Sequence, residues 1–90
     1  MNDALALGVY VVGVFVAGEV REKKDGSGRY GHASISIGND VVRVSLNRRG
    51  MEQLERRQSD GSLVLGTDVM LRTQPYALDK GLVYTNGEFM

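Results

Sequence analysis

The sequence predicts one small domain of mainly β structure, with five strands and one short helix. Apolar and polar residues alternate in several short runs, which is the pattern of half-buried strands. Twelve glycines in 90 residues indicate tight turns and bent strands. One segment, Arg48–Gln58, carries Met51 and Leu54 at helical spacing among Glu, Gln and Arg. A chain of 90 residues can bury one hydrophobic core and is too short for two.

The first strand is predicted over Val9–Glu22, where β-branched and aromatic residues are frequent. Glycines at positions 8, 13 and 18 recur where a long strand has to bend. The strand begins inside the apolar run Ala4–Gly18, whose 15 residues are fewer than the ~20 that cross a bilayer. A secretory signal requires basic residues before its apolar segment, and none precedes this run. We therefore expect no membrane span, with a membrane anchor as the alternative.

A β-hairpin is predicted from two alternating runs, Ala33–Ile37 and Val42–Leu46. A two-residue turn at Asn39 and Asp40 pairs the last residue of the first run with the first residue of the second. In this register every apolar residue faces an apolar partner. A slip by one residue would move the apolar side chains to the wrong face.

The remaining elements follow from turn residues and alternation. Gly50 and Asp60-Gly61 are expected to bound the helix, and Leu63–Leu65 is expected to be extended. Val69–Gln74 alternates as a fourth strand, and Pro75 must lie at its end, at an edge or in a bulge, because proline donates no ladder hydrogen bond. Hairpin-turn residues at 79–81 then precede a fifth strand near 82–85, and Asn86-Gly87 predicts another turn before Phe89.

The order of these elements is typical of the OB barrel, which has five strands. A long bent strand, a hairpin, a short helix and a closing hairpin place the helix between strands 3 and 4. An SH3-like barrel also uses five short curved strands and is the alternative fold, although it more often lacks a helix of this length at this place. We interpret residues 1–90 as one OB-like domain.

Charge is segregated along the chain, although its net value is zero. Residues 21–57 carry nine basic side chains against five acidic ones, and the rest of the chain carries two basic against six acidic. A segregated basic region attracts phosphates even in a neutral protein. The alternative is that these residues form an ordinary solvated surface.

Few residues are available for catalysis or for binding a metal. The chain has no cysteine and a single histidine, His32, so we expect no thiolate site, no metal centre and no cofactor. The run Gly26–Gly31 matches G-x-G-x-x-G, but a strand rather than a helix is predicted after it, so the dinucleotide interpretation fails. No serine-histidine-acid spacing or carboxylate pair appears. We therefore expect a binding module without a small-molecule substrate, rather than an enzyme.

The polar face of the predicted hairpin is the candidate site. It combines Tyr30 and His32 with Arg43 and, at its end, Arg49, while the glycine-rich loop before it adds further cations. Cations that follow phosphates and rings that stack on unpaired bases bind single-stranded nucleic acid. The candidate contact residues are Arg21, Lys23, Lys24, Arg29, Tyr30, His32, Arg43, Arg49, Tyr76 and Lys80. The alternative for the two tyrosines is that they cover the barrel ends.

Several segments resemble the small single-stranded-DNA-binding, helix-destabilising proteins of filamentous phages. They are Glu19–Arg21, Gly26–Tyr30, Ile37–Asn39, Val42–Leu46, Val69–Thr73 and Leu82–Tyr84. The helical segment Met51–Gln58 departs from the phage type and is similar to bacterial single-strand binders.

The resemblance implies non-catalytic, cooperative coating of single-stranded DNA during phage or plasmid-type replication, by a homodimer in the host cytoplasm. It also implies contacts by Arg21, Arg29, Tyr30, Arg43 and Tyr76. RNA stays open as a ligand. Two alternatives are a small β-barrel protein-interaction module and a virion or membrane-associated structural protein.

Overall fold

The computed structural model describes residues 9–78 and 81–90, with the backbone alone at 76–78 and 81–82. Five strands and one helix follow one another along the chain: β1 (Val9–Glu22), β2 (Arg29–Ile37), β3 (Asp40–Leu46), α1 (Arg48–Ser59), β4 (Asp68–Leu78) and β5 (Gly81–Phe89). The strands close into a barrel in the order β1-β2-β3-β5-β4, with β3 and β5 parallel and the other pairs antiparallel. The predicted mainly β, five-stranded, OB-like barrel with one helix between strands 3 and 4 is confirmed.

The long first strand closes the barrel because it pairs with two neighbours. Val9 to Val14 pair with β4, and Val14 to Glu22 pair with β2. Between Phe15 and Ala17 the ladder with β2 shifts register, since two residues of β1 lie opposite the single residue Ser34. Such a bulge bends a strand and increases its twist, which lets one strand turn from one sheet edge to the other.

The core consists of the apolar side chains that point into the barrel, and α1 covers one barrel end. Its fully buried members include Ile35, Val44 and Leu71 from the strands and Leu54 from the helix. The predicted inward face of β2 is confirmed at Ala33 and Ile35, whereas Ile37, expected to pack on the same face, is 39% exposed at the end of the strand. Phe15 and Phe89 are also buried.

The helix is fixed at its start and along its buried side. The Asn47 side chain caps it by accepting a hydrogen bond from the Gly50 N–H at 2.8 Å. Gln53 is buried, and its amide donates to the Phe89 carbonyl at 3.0 Å and accepts from the Phe89 N–H at 2.7 Å. Both polar groups of the amide are thereby satisfied. This double hydrogen bond attaches the helix to the last residue of β5.

The hairpin has a different register from the predicted one. Ile37 pairs with Asp40 and Ile35 pairs with Val42, so the two turn residues are Gly38 and Asn39 rather than Asn39 and Asp40. Gly38 has φ +62, which suits the first central position of a type II′ turn and favours glycine. The shift is two residues, and two is the side-chain period of a strand, so the inward and outward faces stay as predicted.

Three smaller expectations are also wrong. The expected turn at Asn86-Gly87 is a bulge inside β5, with Asn86 at φ 57, and the two carbonyls accept hydrogen bonds from Asn47. Residues 63–65 form no strand, and Leu63 instead packs its side chain into the core. Gly50 lies within the first turn of α1 and does not precede the helix.

β4 also runs past Pro75 to Leu78, longer than predicted. Pro75 pairs with Tyr84 on β5, while the pairing of β4 with β1 reaches only Thr73 within the described residues. At Pro75 the described residues give β4 one neighbouring strand, β5, so the proline lies at an edge of the ladder, as predicted. The position comes just after the ladder irregularity between Arg72 and Gln74. Leu78 pairs with Gly81, and the predicted turn residues Asp79 and Lys80 lie outside the described residues.

Substituting Gly50 with alanine tests the contact between α1 and the β5 bulge. Alanine is usually favoured over glycine inside a helix by about 1 kcal/mol. A Cβ at Gly50, however, would lie only 2.1 Å from the Gly87 carbonyl oxygen. We expect Gly50→Ala to lower the free energy of unfolding by about 1–3 kcal/mol, measured by urea denaturation. Glu52→Ala, on the exposed side of the helix, is the control and should change stability by about 0.5 kcal/mol or less. A Gly50→Ala variant as stable as the parent contradicts the contact.

Candidate nucleic-acid interface

One outer face of the barrel brings together most of the predicted contact residues. Alternation along β1, β2 and β3 directs the polar side chains outward, and the ladders pair Arg21 with Tyr30 and Ser34 with Arg43. His32 pairs with Glu19 on one side and with Ser45 on the other. We call this surface the strand face; its residues are Glu19, Arg21, Tyr30, His32, Ser34, Arg43 and Ser45.

Tyr30 presents an open aromatic ring on the strand face. The residue is 48% exposed, whereas Phe15 and Phe89 are buried in the core. Arg21 lies directly opposite Tyr30 on β1, and its side chain is also exposed. A flat ring with a guanidinium beside it can stack on a base while the cation contacts a phosphate.

A chain of polar contacts fixes the cations of the strand face. The Glu19 carboxylate accepts a hydrogen bond from Arg21 Nε at 3.0 Å, and its other oxygen lies 3.9 Å from His32 Nε2. Arg43 Nη2 lies 3.1 Å from His32 Nδ1. Because a guanidinium only donates, Nδ1 must accept, so the neutral ring carries its proton on Nε2, the nitrogen nearest Glu19. The imidazole thus links the carboxylate on β1 to the guanidinium on β3.

The surroundings favour the neutral form of His32. Burial lowers its pKa, and the neighbouring Arg43 cation lowers it further, against the opposite effect of Glu19. The hydrogen bond from Arg21 to Glu19, together with the charge of that carboxylate, raises the pKa of Arg21. At neutral pH the strand face therefore carries two guanidinium groups against one carboxylate.

The glycine-rich loop Lys23–Gly28 adds cations at the end of the strand face that holds Tyr30. The Lys23 N–H donates to the Gly28 carbonyl at 2.8 Å, and the Gly26 N–H donates to the Lys23 carbonyl at 3.0 Å. The Asp25 side chain accepts from the Ser27 N–H at 2.9 Å, and hydrogen bonding by the Ser27 side chain and then by this backbone N–H lowers the pKa of Asp25. These contacts shape a tight turn in which Lys23 and Lys24 are exposed. A strand follows this loop, as predicted, and no helix starts there.

Two predicted contact residues lie elsewhere. Arg29 Nη1 donates to both carboxylate oxygens of Glu55, at 2.9 and 3.0 Å, and so faces α1 rather than the strand face. Arg49 belongs to α1 and not to β3, and its Nε lies 3.6 Å from a Glu88 oxygen. The expected place of Arg49 at the end of the polar hairpin face, near Tyr30, is therefore wrong.

Two others fall outside what the structure describes. Tyr76 pairs with Val83 in the β4–β5 ladder, but its side chain is outside the described part of the chain. Lys80 lies between the two described ranges.

Glu19 is the charged strand-face residue that the sequence reasoning missed. Up to Phe15 the outward positions of β1 are even-numbered, and beyond the bulge they are odd-numbered. The only sequence signal is the short alternation of Gly18, Glu19, Val20 and Arg21, which places the two charged residues on one face.

A separate apolar stripe lies on the outer face of β1 and β4. Val12 pairs with Met70, and both side chains are exposed, at 58% and 41%. Met90, 54% exposed, lines the same shallow groove. Large exposed apolar side chains that cluster often mark contacts with other molecules.

Within residues 9–78 and 81–90, no group of three or more His, Cys, Asp or Glu side chains is arranged to hold a metal ion. The one helix of the described chain is too short and too polar to cross a membrane.

The fold has a counterpart among solved structures. No family model matches this chain, and no curated protein matches it. A structure described as RecG bound to a three-way DNA junction is similar to it, with a TM-score of 0.64 and 20% sequence identity. The match covers 100% of this chain, which spans 12% of the RecG chain. At this identity the similarity concerns the fold, and it agrees with the OB-like barrel.

The single histidine makes the His32–Arg43 contact measurable. Removal of the neighbouring cation by Arg43→Gln should raise the pKa of His32, because the imidazolium is then no longer repelled. An NMR titration of the imidazole Cε1 proton measures this pKa without assignment ambiguity. Arg49→Gln removes the same charge from α1 and should leave the titration unchanged. A His32 pKa that stays fixed or falls in Arg43→Gln contradicts the contact.

Proposed function

We propose that this protein binds single-stranded DNA on the strand face, without catalysing a reaction. One observation carries the proposal: the exposed Tyr30 ring lies on the same sheet face as Arg21 and Arg43. Stacking of one base on such a ring contributes about 1–3 kcal/mol, and cations on either side bind the flanking phosphates. OB barrels use the face of strands 2 and 3 and the adjoining loops in this way.

Two further observations support nucleic acid as the ligand class. Lys23 and Lys24, both exposed, extend the positive surface beyond the end of the strand face that holds Tyr30. The RecG structure of similar fold is described as bound to a DNA junction. Both favour a phosphate-bearing polymer over a peptide.

Glu19 and His32 act as positioning residues in this proposal. The Glu19 carboxylate holds Arg21, and the His32 imidazole holds Arg43 as a hydrogen-bond acceptor. Both guanidinium groups are therefore oriented before a phosphate binds. The hydroxyls of Ser34 and Ser45 lie beside these groups and can donate to phosphate oxygens. With four cations on the described part of this surface, Arg21, Lys23, Lys24 and Arg43, we expect a modest salt dependence, with a log–log slope of about −3.

The finer role that we propose is cooperative coating of single-stranded DNA during replication, by a homodimer in the host cytoplasm. The apolar stripe supports a second copy of this chain as a partner, because burial of Val12, Met70 and Met90 would remove exposed apolar area from water. Zero net charge adds no overall repulsion between two copies.

The same stripe favours one other function, that of a protein-interaction module. In that case the stripe would bind a different protein and the strand face would have no polynucleotide ligand. A chain that stays monomeric and ignores oligonucleotides fits this alternative.

Tyr30 provides the sharpest test of the strand face. Tyr30→Ala should weaken binding to fluorescent oligo-dT by about 1–3 kcal/mol, whereas Tyr30→Phe keeps the ring and should bind almost as the parent does. Arg43→Gln should make the salt slope shallower by about 0.7. Ile37→Ala, which trims an exposed side chain at the far end of β2, is the control and should change neither quantity. If Tyr30→Ala and Arg43→Gln both bind like the parent, the strand face is not the site.

The dimer is tested separately by sedimentation velocity over a range of concentrations. We expect the parent to approach twice its 9.8 kDa chain mass. Met70→Lys should sediment as a monomer, because a charge within the stripe opposes its burial. Val41→Lys introduces the same charge at another exposed apolar position, outside the stripe, and should still dimerise. A parent that is monomeric throughout, or a dimer unaffected by Met70→Lys, argues against this interface.

A further inference from the structure

The fold divides the basic middle of the sequence between two surfaces. Besides the strand face, arginines surround a shallow cleft made of two adjoining depressions, one on α1 and one between α1, Arg72 of β4 and the end of β5. We call it the arginine cleft; its charged residues are Arg48, Arg49, Arg56, Arg57, Arg72, Glu52 and Glu88. Five guanidinium groups thus face two carboxylates.

Two carboxylates form the ion pairs of these five arginines, so the group keeps a net positive charge. Glu88 accepts from Arg72 Nη2 at 2.9 Å and lies 3.6 Å from Arg49 Nε, so one carboxylate is shared by two cations. The hydrogen bond from Arg72 lowers the pKa of Glu88. Arg48 Nε lies 3.8 Å from Glu52, and the Arg48 side chain is 90% exposed. Arg56 has no ion pair with any residue in the described ranges.

The cleft has no ring on which a base could stack. Phe89 is its only aromatic residue among those described, and that ring is buried, with the Arg57 guanidinium 5.5 Å from its centroid. This cation–π contact positions the guanidinium of Arg57, a half-buried residue, over the ring. The cleft therefore offers positive charge and guanidinium hydrogen-bond donors but no surface for stacking. The strand face differs because it has the exposed Tyr30 ring.

That composition matches the outside of a nucleic-acid duplex. In a duplex the bases are stacked inside, and a protein that does not enter the grooves meets only sugars and phosphates. An arginine guanidinium can donate two parallel hydrogen bonds to the oxygens of one phosphate. We propose that the arginine cleft binds the phosphate backbone of a duplex segment.

The two surfaces lie on different sides of α1. Glu55 points from the helix toward Arg29 on β2, beside the strand face, whereas Arg49 and Gln53 point toward β5. The protein measures 33 × 32 × 31 Å, so its surfaces are no farther apart than about one turn of B-DNA, ~34 Å. Resting on the proposed function of the strand face, we infer that the protein binds best where a duplex continues into a single strand.

Three fluorescent probes test the inference: oligo-dT, a blunt duplex, and the same duplex with an oligo-dT tail. The parent should bind the tailed duplex roughly tenfold or more tightly than either part alone, because the second contact becomes intramolecular. The double variant Arg49→Gln/Arg56→Gln should weaken duplex binding and make its salt slope shallower by about 1.8, while oligo-dT binding is kept. Tyr30→Ala/Arg43→Gln is the matched variant of the strand face and should show the reverse pattern.

The outcomes separate the two surfaces. A parent that ignores the blunt duplex and gains nothing from a duplex beside the tail overturns the cleft, and so does an Arg49→Gln/Arg56→Gln variant that binds duplex like the parent. Loss of duplex binding in that variant supports the cleft, whether or not the parent binds oligo-dT. A parent that does not bind oligo-dT would reject the proposed single-strand function and leave the cleft standing. Matching urea midpoints verify that both arginine substitutions, which are at exposed sites, leave the fold intact.

Discussion

The barrel depends on the ability of β1 to hydrogen bond with β4 through its first half and with β2 through its second. At Val14 the strand pairs with both neighbours, and the bulge that follows bends the chain between them. Gly13 makes this crossing possible, because a Cβ there would lie 2.3 Å from the Ser36 carbonyl oxygen. The same bulge changes which side chains of β1 point outward, so that Glu19 and Arg21 lie beside β2 on the strand face. Closure of the fold and composition of the site therefore have one structural cause.

Sequence patterns predicted the fold well wherever the deciding contacts are local. Alternation has a period of two, so it identified the inward face of β2 although the predicted hairpin register was displaced by two residues. The conformation that a turn requires at Gly38 decided between the two registers, and alternation carries no information on that. Gly50 and Asn86-Gly87 were misinterpreted because the helix start and the β5 bulge contact each other across 36 residues of sequence. Turn-forming residues look alike whether they end an element or let two backbones approach.

The candidate site, like the fold, was predictable where it depends on residues close together in sequence. Tyr30, His32 and Arg43 follow from the outward positions of one hairpin, and the structure keeps them together. Arg29 and Arg49 belong to the same basic stretch of sequence, yet Glu55 and Glu88 hold them on other surfaces. Proximity along the chain could not separate them, because the partner carboxylates belong to α1 and to β5. The net charge gives no sign that the basic residues are divided between two surfaces. It is zero because the acidic ends of the chain balance the basic middle.

A carboxylate accompanies the cations on both surfaces, and its effect on the proposed binding has two opposing parts. A phosphate near Glu19 or Glu88 meets a like charge, which costs about 1 kcal/mol at 4 Å in water. Against this, a free arginine side chain loses up to about 2 kcal/mol of rotamer entropy when a ligand fixes it, and Arg21 and Arg72 are already held by these carboxylates. The two terms are of similar size, so the carboxylates add little to affinity. Their larger effect is on geometry, because a prepositioned fork accepts a phosphate in few orientations. A neutral protein built in this way would select its polyanion by the placement of its cations and not by their number.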